Sequence, residues 1–404
     1  MPFVIFAAPI LSDNAFRMVE AAAALPDVQL AVITQDGEDR LLGLRGHVRH
    51  WQVADILDVE QLAWAAEGLA RQFGPIHRLF GAFEQIQVQL AEVRARLGIE
   101  GMGVEAAHNF RDKARMKTLL RAAGLPCARH CLASTLDEAV AFAEANGFPV
   151  VVKPPAGAGA IATFRVDNMQ SLIAALSRTP PTAEHPVLLE EFVQGEEHSF
   201  ETMTVNGEHV WHSLTHYYPT PLTVLENPWI QWSLVLPREV DGTQYDDIRS
   251  AARRALDVLG MRTGISHMEW FRRRDGTIAI SEVAARPPGA QITQLMSYAH
   301  DFDLVQEWAR AMIFGEFHVP ERKYAAGAAF LRGQGQGRIA AVHGVDEVNR
   351  ALGPLIVAAR TPQVGGQPSV SYEGDGWVIV RHPDTAVVQR AVLTVISTIK
   401  VELG

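Results

Sequence analysis

Residues 265–286 read Ile265-Ser-His267-Met-Glu269-Trp-Phe271-Arg-Arg273-Arg274-Asp275-Gly276-Thr277-Ile278-Ala-Ile280-Ser-Glu282-Val-Ala284-Ala-Arg286. Two strand-forming runs flank Arg274-Asp275-Gly276, and Asp-Gly is a favoured two-residue hairpin turn. With Asp275-Gly276 as the loop, Glu269 and Glu282 lie equally far from it and face each other across the ladder. Like charges placed directly opposite destabilise a sheet, and a hard cation such as Mg²⁺ with oxygen ligands offsets their repulsion. Arg286 follows with the same parity. The alternation also puts Phe271, Ile278 and Ile280 on that face, which favours a lined cleft over a solvated surface with two incidental glutamates.

Upstream, Lys153-Pro-Pro-Ala-Gly157-Ala-Gly159-Ala-Ile-Ala-Thr163 lies between two apolar strands. Phosphate-binding loops of the Gly-Lys-Ser/Thr kind open a helix, so this segment is not one. Gly157 and Gly159 either present backbone N–H groups to an anion, with Lys153 adding a point charge, or form a plain surface turn. Leu188-Leu-Glu190-Glu191-Phe192-Val193-Gln-Gly195-Glu196-Glu197 follows, an apolar strand running into acidic residues. Such a strand end can hydrogen-bond a planar heterocycle, although acidic loops after strands are common without any ligand.

The whole chain bounds the rest. Its 404 residues carry a net charge of −10, against broad nucleic-acid binding but compatible with one local phosphate ligand. At about 150 residues per domain, that length implies two or three domains. Cys127 and Cys131 are too few for a disulfide framework, and with His130 they offer a zinc ion no fourth ligand. No apolar run reaches the ~18 residues that a membrane span needs, so a cytoplasmic chain with no membrane partner is expected.

Strand and helix patterns alternate from Phe3 to Leu97, predicting an open α/β layer with a parallel sheet over residues 1–110, without a GxGxxG fingerprint. An amphipathic helix over Asp112–Ala123 ends in Gly124-Leu-Pro126. Residues 111–318 form a central unit, with a smaller part over about 125–194, and residues 319–404 a C-terminal α+β unit.

Taken in order, these segments resemble the ATP-grasp superfamily, over nearly the whole chain. The match lies in Asp112-Lys113 before a helix ending Gly-Leu-Pro, the Lys153 glycine loop, Glu190 and Glu197, and Glu269 before Glu282. Length and the C-terminal Gly374-Asp-Gly-Trp-Val-Ile-Val380 segment are most similar to bacterial L-amino-acid ligases and biotin-carboxylase-like ligases. The resemblance implies an N-terminal α/β layer, an ATP-grasp lid and base, and a C-terminal α+β unit. It implies that Lys113 and Lys153 bind ATP phosphates, that Gly157 and Gly159 belong to a lid loop, and that Glu190, Glu191, Phe192 and Val193 form the adenine hinge. Glu197 would hold the ribose, and Glu269 and Glu282 would carry Mg²⁺, with Mn²⁺ as an alternative. Arg286 would stabilise the transferred phosphoryl group. His216-Tyr-Tyr-Pro219 resembles a substrate loop.

The expected activity is ADP-forming ligation of a small carboxylate to an amine through an acyl-phosphate. Its rivals are a bicarbonate-activating carboxylase and a nucleotide-binding pseudo-enzyme. The resemblance also implies a homodimer. Two departures stand out. The family's Glu-x-Asn-x-Arg is here Glu282-Val-Ala284-Ala-Arg286, so the second metal loses a ligand; His267, facing Ala284, could contribute, although a structural role competes. Ser213 replaces a glutamate three residues before His216, which puts recognition of an amino group in question. Tyr217–Trp232, rich in Tyr, Pro, Leu and Trp, hints at an apolar or aromatic substrate contact or at packing within the loop.

Overall fold

The computed structural model describes residues 1–44, 48–156, 163–178, 180–369 and 371–404. Gly157 and Gly159 therefore lie outside the described residues. The N-terminal layer is a parallel sheet of β1 (Phe3–Ala8), β2 (Gln29–Thr34), β3 (Val48–Gln52) and β4 (Ile76–Phe80), in the order β3-β2-β1-β4. Every residue of β1 is buried, as expected of a strand covered on both faces by helices. Helices α1 (Asp13–Ala23), α2 (Val59–Phe73) and α3 (Gln87–Leu97) supply that cover. Strand order reverses between β1 and β4, and the crevice beyond the carboxyl ends of such strands is where open α/β sheets hold functional groups. Glu84 lies there, just past β4.

Helices α4 (Val104–Arg111) and α5 (Lys113–Ala122) lead into an antiparallel sheet of β5 (His130–Ala133), β6 (Val150–Lys153), β7 (Phe164–Val166) and β8 (Val187–Glu191), ordered β5-β8-β6-β7. Helices α6 (Leu136–Asn146) and α7 (Met169–Arg178) close its core.

The largest sheet has eight strands. In chain order these are β9 (Gly195–Val205), β10 (Glu208–Tyr218), β11 (Trp232–Leu236), β12 (Gly264–Arg273), β13 (Ile278–Ala284) and β14 (Ala325–Leu331), then two strands of the C-terminal region. That region contains β15 (Gly333–Gln334), β16 (Ile339–His343), β17 (Ile356–Arg360), β18 (Gly376–His382) and β19 (Lys400–Leu403). The order β13-β12-β9-β10-β11-β14-β18-β17 runs unbroken across the expected boundary at 318/319. Trp232 on β11 pairs with Phe330 on β14, their rings stacked 4.6 Å apart, so one aromatic core spans both regions. Helices α8 (Pro221–Glu226), α9 (Asp246–Leu259), α10 (Ile292–His300), α11 (Leu304–Phe314), α12 (Val345–Leu352) and α13 (Thr385–Thr398) complete the chain.

The β12–β13 hairpin differs instructively from its expected form. Arg273 N–H donates to the Thr277 carbonyl and Gly276 N–H to the Arg273 carbonyl, so the loop has three residues, with Gly276 at φ +83°. The register then shifts between Glu269 and Trp270, leaving Ser281 as an extra residue on β13. The bulge cancels the longer turn, and Glu269 still pairs with Glu282. Between turn and bulge the parity is reversed. Ile278 and Ile280 accordingly pack with Met268 and Trp270 against α9, on the face opposite the glutamates; Phe271 alone of the three remains on the glutamate side.

Candidate active site

One cleft of about 190 Å³ lies between the β5–β8 sheet and the eight-stranded sheet. Helix α5 supplies its first cations. Asp112 caps the helix by accepting N–H bonds from Ala114 and Arg115, and the Lys113 N–H donates to the Pro155 carbonyl at 3.0 Å, tying α5 to the end of β6. Lys113 and Lys117, four residues apart, share one helix face. Lys113 pairs with Glu282. Lys117, fully buried, donates to the Ser281 carbonyl at 2.6 Å and lies 3.3 Å from Glu190. Lys153 reaches the same Glu190 carboxylate oxygen at 2.9 Å. Lys117 was not anticipated, although its spacing from Lys113 is the signal that would have found it.

Burial acts to raise Glu190, but Lys117 and Lys153 outweigh it and hold the carboxyl below its usual range. Burial conversely lowers Lys117, against the attraction of Glu190. Breaking a buried ion pair by removing one member typically costs about 3–5 kcal/mol. Glu190→Ala leaves two buried ammonium groups and should lose stability of that order in urea denaturation; an unchanged midpoint would contradict this arrangement. Glu191, Phe192 and Val193 continue along the cleft. Glu191 also pairs with Arg129 at 2.7 Å and with Arg273 at the end of β12, linking the two sheets.

On the large sheet, Glu197, Glu269 and His267 share the cleft face with Glu282 of β13. Burial raises Glu282, yet Lys113, then Lys153 and Arg286, hold it down to about 2. Burial and the neighbouring Glu269 push Glu197 well above its usual range. His267 faces Ala284 as expected, and Nδ1 bonds the fully buried Glu201 at 2.9 Å while Nε2 lies 3.6 Å from Glu269. Burial alone would lower His267; Glu201 and Glu269 instead raise it to about 9. A raised pKa stabilises the fold fully below the ordinary imidazole value of 6.5, and the gain is lost as pH climbs through about 9. Unfolding free energy should therefore fall by at most roughly 3 kcal/mol between those pH values. A His267→Gln variant should lack that slope, and an equal slope in the variant would refute the assignment.

Arg286 projects into the cleft beyond β13, where Nε and one terminal nitrogen each lie 3.1 Å from Glu84. Burial acts to lower Arg286, but Glu84 overrides it and keeps the guanidinium charged. Arg111 lies 3.5 Å from the other Glu84 oxygen. Glu84 is 202 residues from Arg286 in sequence, so only the fold joins them.

The carboxylates suit a hard cation: Glu269 and Glu282 face each other, and Glu282 stays ionised. Among the described residues no group of three or more His, Cys, Asp and Glu is arranged to hold a metal ion. Further oxygen ligands would thus come from the substrate and water.

His216, expected in a substrate loop, lies on the other face of the sheet. It pairs with His198 on β9, and its ring lies 2.9 Å from His198 and 3.1 Å from the Tyr245 hydroxyl, on the face that also carries Trp270. Strand alternation turns the next residue, Tyr217, to the cleft instead. Burial lowers His216 to about 4, keeping it neutral.

Residues 118–295 match the family model described as ATP-grasp domain. That segment matches an ATP-grasp domain, and the chain as a whole has the ATP-grasp fold. It is similar to the L-arginine-specific L-amino acid ligase of Bacillus subtilis, 25% identical over 57% of this chain and 56% of the relative. It resembles a Bacillus subtilis alanine–anticapsin ligase equally, 25% identical over 56% of this chain and 52% of that one. The chain thus aligns with little more than half the length of these relatives. The crystal structure of an L-amino acid ligase from Bacillus licheniformis superposes with a TM-score of 0.79, at 18% identity, over 100% of this chain and 99% of that one. An N5-carboxyaminoimidazole ribonucleotide synthetase from Thermotoga maritima gives 0.70, at 18% identity, over all of both chains. No helix among the described residues is long and apolar enough to cross a membrane.

Proposed function

We propose that the chain is an ATP-dependent, ADP-forming ligase that joins a small carboxylic acid to an amine through an acyl-phosphate. The observation that carries this reading is the gathering of Lys113, Lys153 and Arg286 around the opposed Glu269–Glu282 pair in one cleft. Glu190 to Val193 would form the adenine hinge, and Glu197 would accept the ribose hydroxyls. Glu269 and Glu282 would hold Mg²⁺ or Mn²⁺, which supplies Lewis-acid charge to phosphate oxygens. Lys113 and Lys153 would offset the remaining phosphate charge. Lys113 pairs with Glu282 here, so it would turn toward the nucleotide when a cation takes its place at that carboxylate. Arg286 would hold the transferred phosphoryl oxygens as charge develops, oriented by Glu84. The carboxylate oxygen attacks the γ-phosphorus and ADP leaves; the amine then attacks the acyl carbon and phosphate leaves with that oxygen.

ATP with a panel of acids and amines should yield ADP and phosphate only when both co-substrates are present or when an acid alone is slowly turned over. ADP formation that depends on bicarbonate instead would favour the carboxylase reading, and tight ATP binding with no ADP across the panel would favour a binding module.

A further inference from the structure

We infer that the end of this cleft over β10 and β11 is the binding compartment for the acid's own chain, and that it takes uncharged apolar acids, aliphatic or aromatic. The inference rests on the ligase reading for the term acid, and adds its chemical class. The charged groups of the cleft sit on α5, on the β5–β8 sheet, on β12, on β13 and just beyond it, and at the start of β9, where Glu197 lies. Three strand spacings, about 14 Å, separate β12 from β11. At that far end the lining changes to Tyr217, Leu222, Leu225, Trp232, Ala290 and Ile292.

The wall is built rather than incidental. On α8, Leu222 and Leu225 are three residues apart and half-buried toward the cleft, while Val224 is fully buried behind them. Thr220 caps that helix by accepting the Thr223 N–H, and Arg332 donates to the Val224 carbonyl at 3.2 Å. Trp232 is fully buried, stacks on Tyr217, and donates its indole N–H to the Tyr372 carbonyl at 2.6 Å. Opposite them, Ala290 and Gln291 both take left-handed conformations, with φ +52° and +60°. Glu373 holds this bend through the Ala290 N–H at 3.1 Å and the Gln291 amide at 2.9 Å. The bend brings the small side chain of Ala290 to the cleft only four positions after Arg286, so an acid group at Arg286 leads straight into the apolar end.

Among the described residues no carboxylate or cation lines this end: Glu373 is engaged by the bend, and Arg332 by α8. The ionisable groups that border it are the phenols of Tyr217 and Tyr372, both raised by burial and so neutral. An ammonium, guanidinium or carboxylate on the substrate's chain would lose its water without gaining a partner, which is costly, whereas each buried methylene favours binding.

The test uses the full chain with ATP, Mg²⁺ and hydroxylamine, which traps an acyl-phosphate as a hydroxamate by forming a C–N bond and releasing phosphate. Leucine, methionine and phenylalanine are compared with arginine, lysine and glutamate, and in parallel each acid is titrated against the chain held with a non-hydrolysable ATP analogue. The apolar acids should exceed the charged ones in kcat/KM and in affinity by about tenfold or more. Leu225→Glu should weaken leucine and improve arginine, and Leu222→Lys should improve glutamate. If no hydroxamate or phosphate forms but apolar acids still bind preferentially, the ligase reading falls and the compartment stands. Charged acids matching apolar ones in both assays, or a ranking unmoved in both variants, would overturn the inference.

Discussion

Glu282→Gln should reduce ATP-dependent phosphate release by at least about 10²–10³-fold, the usual loss when one preorganised charge-stabilising group is removed. Glu282 pairs with Glu269 across the hairpin and is kept ionised by Lys113, Lys153 and Arg286. Glutamine keeps the shape and one oxygen but removes the charge that, on the proposed reading, would hold a hard cation between the strands. It also frees Lys113 from its ion pair, leaving an unmatched ammonium that is 5% exposed, so some loss of stability accompanies it. Circular dichroism and a urea titration separate the two effects. A folded variant with near-normal turnover would refute the metal role of Glu282. Asp at the same position should recover part of the activity, since it restores the charge one methylene short.

Arg286→Met should leave nucleotide affinity within a few-fold of the parent yet lower kcat by about 10²–10³. The guanidinium lies past β13, where it is held by Glu84 and donates to the Pro287 carbonyl at 3.0 Å. Methionine fills similar volume without charge. Because Glu84 is 6% exposed, Arg286→Met also strands that carboxylate beside Arg111 alone. Glu84→Gln should reproduce a smaller fall in kcat with unchanged nucleotide binding, as expected of a positioning residue. Loss of ATP binding in Arg286→Met, measured by nucleotide titration, would move this arginine from the transfer step to the nucleotide site.

What the sequence made legible depended on short-range pattern. Acidic residues, glycines and lysines in order gave the ATP-grasp resemblance, and alternation gave the Glu269–Glu282 pair. That pair came out through compensation, because a three-residue turn and a bulge at Ser281 offset each other. Ile278 and Ile280 lie between the two deviations and therefore took the opposite face. His216 was drawn to the site by a short motif, whereas strand parity gives that place to Tyr217. Lys117 is a residue type rarely buried whole; its spacing from Lys113 marks the shared helix face, but its partners, Glu190 and the Ser281 carbonyl, come from distant segments. Glu84, Glu201 and Tyr372 reach their partners only through sheet order and the packing of distant segments, which no spacing along the chain encodes. The unbroken sheet across 318/319 was likewise hidden, since strand adjacency between β11 and β14 is a long-range choice.

The most direct test of the central claim follows one oxygen atom. An acid that the chain turns over is labelled with ¹⁸O in its carboxylate and incubated with ATP, Mg²⁺ and an amine. Attack by the carboxylate on the γ-phosphorus, followed by amine displacement, transfers one labelled oxygen to each phosphate released. Mass spectrometry of the phosphate should therefore show a single ¹⁸O per molecule alongside ADP. Unlabelled phosphate formed together with amide product would contradict activation through an acyl-phosphate.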